Sequence, residues 1–463
     1  MRHKIRRIHF TGIGGAGMCG LAEVMHSFGY EVSGSDAREQ PSLARLRAAG
    51  IRVFTGHDAA HAAGADCVVY SGAVPEDNPE RAAAAVQGIP AVPRAQMLGE
   101  VLRFKSGVAV AGTHGKTTVS SMLASILTAA GKDPTCIIGG RLLDGGADGG
   151  GNARIGAGEF VIAEADESDA SFLHLQPVAA LVTNIDNDHL GAFGGEMARL
   201  HDAFRGFLGN LPFYGAAVIC ADNPAAARLA DELASPRIIR YGMRAKAEVR
   251  AAEAAHEGGG MRFILHLAGK KYPIRLASPG AHNALNAAGA CAMAHELGAE
   301  TEAMAAGLEN FRGVGRRLEA HGKIMPEKGD IVLLDDYAHH PTEIAATAEA
   351  VRGAYPKRRL VLVFQPHRYT RTRDVFAELL SALALGDALV LLPVYAAGEA
   401  PLPGADSDAI FAALQKRGAP PARADDLPGA AAAVREAARD GDVVLTMGAG
   451  DIGGLPALLK EAA

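Results

Sequence analysis

The chain reads as an α/β protein with three domains: a Rossmann-like domain at each end and a P-loop ATPase-like mixed sheet between them. Three observations predict this. Short apolar runs alternate with stretches of helical periodicity over most of the length, which is the pattern of strand–helix–strand units. Glycine-rich turns follow several of those runs, and 463 residues exceed what a single hydrophobic core usually serves. The expected domains are residues 1–104, 105–313 and 314–463.

Composition narrows the class. With 49% hydrophobic and 21% charged residues the chain is globular, and a formal net charge of -6 argues against a nucleic acid held by phosphate neutralisation. Anionic ligands therefore need local devices. The five cysteines, Cys19, Cys67, Cys136, Cys220 and Cys291, are widely spaced and form no C-x-x-C pair, so neither a disulfide framework nor a zinc knuckle is indicated. A reducing cytoplasm fits. The start is basic, but a glycine loop follows where a signal peptide would carry an apolar segment, and no long uncharged run suits membrane insertion.

In the first segment, runs at 8–10, 31–33, 52–54, 67–70 and 91–92 read as strands of a parallel sheet. The first ends in Gly12-Ile13-Gly14-Gly15-Ala16-Gly17, a G-x-G-x-x-G match, and the second leads to Gly34-Ser35-Asp36, about where a ribose-binding acid is expected. Candidate contacts are Gly12, Gly14, Gly15, Ala16, Gly17, Ser35, Asp36 and Ser71. Taken alone this predicts a dinucleotide, yet a glycine turn at a helix N-terminus suits any diphosphate, including that of a nucleotide sugar. A plain packing turn is the third reading.

The central segment opens with an apolar run at 108–111 that breaks into Gly112-Thr113-His114-Gly115-Lys116-Thr117-Thr118. Val119, Met122, Leu123 and Ile126 then recur at helical spacing. This reads as a phosphate cradle with Val110 where the full motif has glycine, in which backbone N–H groups would approach the anion, Lys116 would reach the terminal phosphates and Thr117 would ligate Mg²⁺; an ordinary strand-to-helix turn is the alternative. Runs at 160–163 and 179–182 lead into the polar clusters 164–169 and 183–189. Ligands in parallel sheets bind beyond the carboxyl ends of strands, so both clusters should face the loop, where a carboxylate and an imidazole suit Mg²⁺. The glycine-rich stretch 144–151 lacks periodicity and reads as a mobile loop or hairpin tip. Residues 238–276 read as short strands, an antiparallel addition to the main sheet. Asn283 and Asn286 open an alanine-rich helix; their amides could face a purine, or Asn283 could cap the helix.

The last segment follows Gly313-Val314-Gly315-Arg316-Arg317, with strands expected at 331–334, 360–364, 388–392 and 443–446. Two strand ends carry chemistry: Asp335-Asp336-Tyr337-Ala338-His339-His340-Pro341-Thr342-Glu343, and Gln365-Pro366-His367-Arg368-Tyr369-Thr370-Arg371-Thr372-Arg373-Asp374. Arginine forks suit carboxylates and phosphates. Gly448-Ala449-Gly450-Asp451-Ile452-Gly453 is a weak glycine match, either phosphate-facing or structural.

These motifs together resemble the Mur ligases of peptidoglycan synthesis, over essentially the whole chain, and within that family the alanine-adding members. The resemblance implies that the first glycine loop holds the UDP part of UDP-N-acetylmuramate and that Gly112, Thr113, His114, Gly115, Lys116, Thr117 and Thr118 bind ATP. It also implies that Asn283 and Asn286 lie near the adenine and that Arg316 or Arg317 approaches the phosphates. Thr117, Glu164 and His189 match Mg²⁺ contacts. Tyr337, His339, Arg368 and Arg371 match positions near the incoming L-alanine. Lys116, His189, His339 and Arg368 are the catalytic candidates, with either histidine as base. Sister ligases carry a carbamylated lysine shortly after the histidine; around Ala203-Phe204-Arg205 this chain has none, so a second metal would be held differently. Domain closure before chemistry is expected, and a monomer or a dimer is compatible.

Other readings remain. A recycling ligase that adds a murein tripeptide shares the phosphate loop, although the 366–374 segment favours a single amino acid. An NAD-dependent oxidoreductase rests on residues 12–36 alone. A non-catalytic nucleotide switch needs the loop but neither the arginines nor the 335–343 cluster.

Overall fold

The computed structural model describes residues 4–141, 143, 151–234 and 237–461. Residues 144–150 of the glycine-rich stretch lie outside the described residues. The chain divides into two compact units, Met1–Ala252 with Ile264–Ile274 and Leu285–Phe311, and Glu253–Phe263 with Arg275–Ala284 and Arg312–Ala463.

The first unit begins with β1 (Arg7–Thr11), β2 (Glu31–Asp36), β3 (Arg52–Thr55), β4 (Cys67–Tyr70) and β5 (Ala91–Pro93), a parallel sheet in the order β3-β2-β1-β4-β5. Strand β2 runs past its apolar part to Asp36. Ser35 pairs with Thr11 on one side and Phe54 on the other, and a backbone ladder does not require apolar side chains. On β1 the pleat sends Ile8 and Phe10 into an apolar core and leaves His9 and Thr11 for the opposite face, where both are nevertheless fully buried.

A second sheet comprises β6 (Ser106–Ala111), β7 (Thr135–Ile137), β8 (Ala153–Arg154), β9 (Phe160–Glu164), β10 (Ala179–Val182), β11 (Ala216–Cys220), β12 (Arg237–Gly242), β13 (Val249–Glu257), β14 (Gly260–Leu267) and β15 (Lys270–Leu276). Its order is β15-β14-β13-β12-β11-β10-β6-β9-β7-β8. The antiparallel addition expected from residue 238 does not begin there. Strand β12 joins β11 in parallel, reached through the crossover helix Pro224–Glu232, and β13 starts parallel to β12.

The two sheets share one core. Helix Arg94–Phe104 packs on β6, β9 and the turn Ser171–His174, and apolar residues of both sheets, such as Phe10, Val69, Ala163 and Val182, fall in a single buried cluster. Phe172 ties the acidic cluster to this core: it meets Phe204 edge-on and Phe207 in a stack, each with ring centroids 5.1 Å apart. No helix among the described residues is long and apolar enough to cross a membrane.

The second unit carries β16 (Glu319–Ile324), β17 (Ile331–Asp336), β18 (Leu360–Phe364), β19 (Ala388–Leu391), β20 (Ala422–Arg423) and β21 (Val443–Met447), in the order β16-β17-β21-β18-β19-β20. It is covered on both faces, because alternate residues serve separate cores. Leu360, Leu362 and Phe364 of β18 enter one, and Val361 and Val363 the other. Strand β16, antiparallel to β17, has a polar, partly exposed sequence, which is why apolar patterning does not announce it.

Phe172→Ala should destabilise the protein by about 3–5 kcal/mol, the usual cost of deleting a fully buried aromatic ring. Urea denaturation would measure it, and an unchanged midpoint would mean that the acidic cluster is not anchored through this ring.

Candidate active site

The phosphate loop owes its position to strand order. Strand β6 lies between β9 and β10, with Val110 opposite Glu164 and Ala111 opposite Val182, so three strand ends and the turns that follow them converge. The segment after β10 then clamps the loop. Thr113 N–H donates to Asn184 O (3.1 Å), His114 N–H to Asn184 Oδ1 (2.8 Å), and Asp186 N–H to Thr113 Oγ1 (2.9 Å). His114 Nε2 lies 3.1 Å from Asp186 Oδ2. Gly112, at φ +129°, has to be glycine, since a β-carbon there would stand 2.0 Å from Thr183 Oγ1.

Lys116 opens the helix Lys116–Ala129 and folds back over the loop. Its ammonium donates to Gly112 O (2.6 Å), Thr113 O (3.2 Å) and Glu167 Oε2 (2.7 Å), which uses all three of its N–H bonds. Burial opposes the charge on Lys116, but the nearby carboxylates of Glu167, Asp166 and Glu164 outweigh it and raise the pKa above the ordinary value. Glu167 is fully buried, and its Oε1 has no hydrogen-bond partner. Sequence shows Glu167 only as one acid in a run of four; its pairing with Lys116 depends on β9 lying beside β6.

Glu164 closes β9 and accepts from Gly139 N–H (2.9 Å). His189 sits at φ +57°, its Nε2 3.4 Å from Asp188 Oδ2. Thr117 and Thr118 are buried in the first turn of the helix. The two asparagines differ. Asn286 lies against Gly115, its Oδ1 3.0 Å from where a β-carbon would stand, whereas Asn283 Nδ2 donates to Pro279 O (2.8 Å), a local tie at the start of helix Ala281–Glu296.

At the N-terminal loop, Gly12 and Ile13 N–H both donate to Ser35 O (2.9 Å each), and Gly14 N–H donates to Asp36 Oδ2 (2.9 Å). Gly15 precedes helix Ala16–Ser27, whose first turn holds Ala16 and Gly17. Ser71 follows β4, and its N–H donates to Thr11 O (3.2 Å). The Ser35 hydroxyl turns away from the loop into the interior, where it donates to Glu80 Oε2 (2.7 Å). Arg94, absent from the sequence expectations, lies against Gly17 and helps lower the pKa of Asp166.

In the second unit Arg316 is engaged internally. Its Nε donates to Asp335 Oδ2 (2.8 Å) and its Nη2 to Gly448 O (2.6 Å), while the Arg317 guanidinium lies over the Tyr337 ring, 5.3 Å from the centroid. The last glycine motif is thus a structural turn, packed on Arg316 and Gln365. His339 Nδ1 donates to Tyr337 O (2.9 Å), so in the neutral ring Nε2 carries the lone pair. Its ring centroid is 5.7 Å from that of His367. Burial, with His339, Arg371 and Arg368 nearby, lowers His367 to about 4, leaving a neutral imidazole beside Arg371 Nη1 (3.2 Å). Arg368 is exposed at φ +68°, a conformation costing of order 1–3 kcal/mol that recurs at functional sites.

A lysine-bearing phosphate loop, a glycine turn on a Rossmann-like sheet and an imidazole–arginine cluster on another define a nucleotide-using α/β enzyme. The chain belongs to the Mur ligase family: it matches the Mur ligase family catalytic domain over residues 7–106, the Mur ligase middle domain over 110–294 and the Mur ligase glutamate ligase domain over 316–450. It is 52% identical to the UDP-N-acetylmuramate--L-alanine ligase of Halorhodospira halophila, over 98% of this chain and 93% of that protein. Among solved structures, the UDP-N-acetylmuramate-alanine ligase of Thermotoga maritima superposes with a TM-score of 0.81 at 30% identity, covering 98% of both chains. A murein peptide ligase from Psychrobacter arcticus, at 24% identity and TM-score 0.70 over 98% of both chains, shares the fold.

Lys116→Ala should reduce ATP-dependent phosphate release by at least about 10²–10³-fold, the scale of losing one preorganised charge-stabilising donor, and leave UDP-sugar binding intact. Loss of both would mean that the two loops are not separate sites.

Proposed function

We propose that this chain joins L-alanine to the lactoyl carboxylate of UDP-N-acetylmuramate, with cleavage of ATP to ADP and phosphate, in the synthesis of peptidoglycan precursors. The observation that carries the reading is the 52% identity, along nearly the whole chain, to a ligase named for these substrates. The phosphate-loop geometry supplies the chemistry. The roles proposed for residues 1–104, 105–313 and 314–463 are to bind the UDP sugar, ATP and the amino acid. Nucleotide-activated substrates place the reaction in the cytoplasm.

A carboxylate is a poor acylating agent. Its oxygen attacks the γ-phosphorus of ATP, the bond to the β-phosphate oxygen breaks, and an acyl phosphate and ADP result. Lys116 exchanges a protein acceptor for a phosphate oxygen and stabilises the charge that develops there. The neutral amine of alanine then attacks the acyl carbon, and the tetrahedral adduct expels inorganic phosphate. The lone pair at Nε2 of His339 suits the proton released from the amine, and His189 is the second candidate. Arg368 and Arg371 offer a fork for the alanine carboxylate, with Tyr337 beside them. Arg317 is the guanidine we assign to the phosphates, because Arg316 is committed to Asp335 and Gly448.

The site suits Mg²⁺. Glu164 and Asp166 stand near the Lys116–Glu167 pair, and one buried oxygen of Glu167 is unpartnered, so oxygen ligands of the kind Mg²⁺ takes are gathered here. Thr117, Glu164 and His189 would hold the ion, which when bound supplies Lewis-acid neutralisation of the phosphoryl oxygens. The Gly112–Thr118 loop is likewise shaped for the phosphates of ATP.

Phosphate release measured with ATP, UDP-N-acetylmuramate and each amino acid in turn should be greatest with alanine. Turnover only with a murein tripeptide would overturn this reading in favour of the recycling ligase.

A further inference from the structure

Behind the N-terminal glycine loop lies a buried polar cluster that the proposed chemistry does not use. Glu80, in the first turn of helix Pro79–Gln87, has a side chain with no solvent exposure. Oε2 meets His9 Nε2 (3.1 Å) and accepts from Ser35 Oγ (2.7 Å). Oε1 faces His61 Nδ1 (3.1 Å), His57 Nδ1 (3.6 Å) and Asp58 N–H (3.4 Å). His9 Nδ1 reaches Ser33 Oγ (3.0 Å), and His57 Nδ1 reaches Ser35 Oγ (2.9 Å). The cluster therefore gathers side chains from β1, β2, the turn after β3 and the helix after β4.

Ser35 is the joint between this cluster and the loop. Its hydroxyl is held by Glu80, while its carbonyl accepts from Gly12 and Ile13 N–H, and the next residue, Asp36, accepts from Gly14 N–H. A buried carboxylate adds little net stability, since well-packed apolar groups of similar volume do as well or better. It does fix geometry. Burial alone would raise the carboxyl, but the bonds from His9 and Ser35 outweigh it and hold Glu80 down at about 2.

We infer that Glu80 is a positioning residue for the nucleotide-sugar site: it acts through Ser35 to set the loop that receives the diphosphate of UDP-N-acetylmuramate. This rests on the function proposed above and adds a residue that touches no substrate. The sequence motif places Ser35 among the ligand contacts. The structure gives its side chain this internal task.

The test uses the full-length enzyme with UDP-N-acetylmuramate as probe. Glu80→Gln keeps the size but puts an amide donor among donors; it should raise KM for the UDP sugar about tenfold, on the scale of one charge-assisted hydrogen bond, with kcat and KM for ATP within about twofold. Ser35→Ala cuts the joint and leaves Glu80 its imidazoles, and it should give the same KM increase. The double variant should be no worse than the poorer single one, because both break one path. Glu80→Asp should recover less than full affinity but more than Glu80→Gln. Additive effects, a KM for ATP that rises in step, or a lowered melting temperature with unchanged KM for the UDP sugar would overturn the inference. If Glu80→Gln does not fold, Ser35→Ala with unchanged KM overturns it alone. Calorimetry on the unaltered enzyme separates the two levels: no binding of UDP-N-acetylmuramate sinks the function, whereas binding that neither variant weakens sinks only the role of Glu80.

Discussion

The largely buried ammonium of Lys116 is the constraint around which the central sheet is arranged. An ammonium largely out of water needs an acceptor for every proton and a counter-charge, and the protein supplies both from within a few residues of two strand ends, those of β6 and β9. Glu167 can reach Lys116 only if β9 lies beside β6, and the carbonyls of Gly112 and Thr113 can face inward only if the segment after β10 holds the loop from the other side. The strand order β10-β6-β9 is thus what brings the pair and the loop together. Pairs of this kind stabilise little in net terms, while loss of one partner costs several kcal/mol because the other charge stays buried.

The same arrangement recurs at smaller scale in the other two sheets. Around Gly12–Gly17 the backbone is aimed by Ser35 and Asp36, with Glu80 behind them. In the second unit Asp335 is buried and pinned by Arg316 and Thr446, while Tyr337 and His339 follow the end of β17 and the Arg317 guanidinium lies over the Tyr337 ring. In each case charged or polar groups behind a strand end orient the groups proposed to meet a ligand. Neutral His367 among Arg368 and Arg371 follows the same logic: a third positive charge there would be repelled and desolvated, so the imidazole stays uncharged and accepts from Arg371.

Legibility in the sequence followed the physics of each feature. The strands of the doubly wound sheets were readable because buried parallel strands are continuous apolar runs, and the phosphate loop because glycine, lysine and threonine at fixed spacing have one mechanism. Strand β16 was not readable, since an exposed edge strand carries no apolar pattern, and neither was the parallel start of the 238–276 region, because local alternation does not state a strand's direction. Arg316 and Arg317 are neighbours in sequence. Only the packing against Asp335 and Gly448 tells them apart.

The sequence by itself determined the fold class and the short motifs, such as the loop at Gly112–Thr118, that mark the family. These depend on local periodicity and on spacing set by covalent geometry. The tertiary structure alone decided which of several acids pairs with Lys116, which way Ser35 turns, and that His9, His57, His61 and Glu80 meet. Those contacts join residues far apart in the chain, and they form only where the crossovers bring their strands side by side.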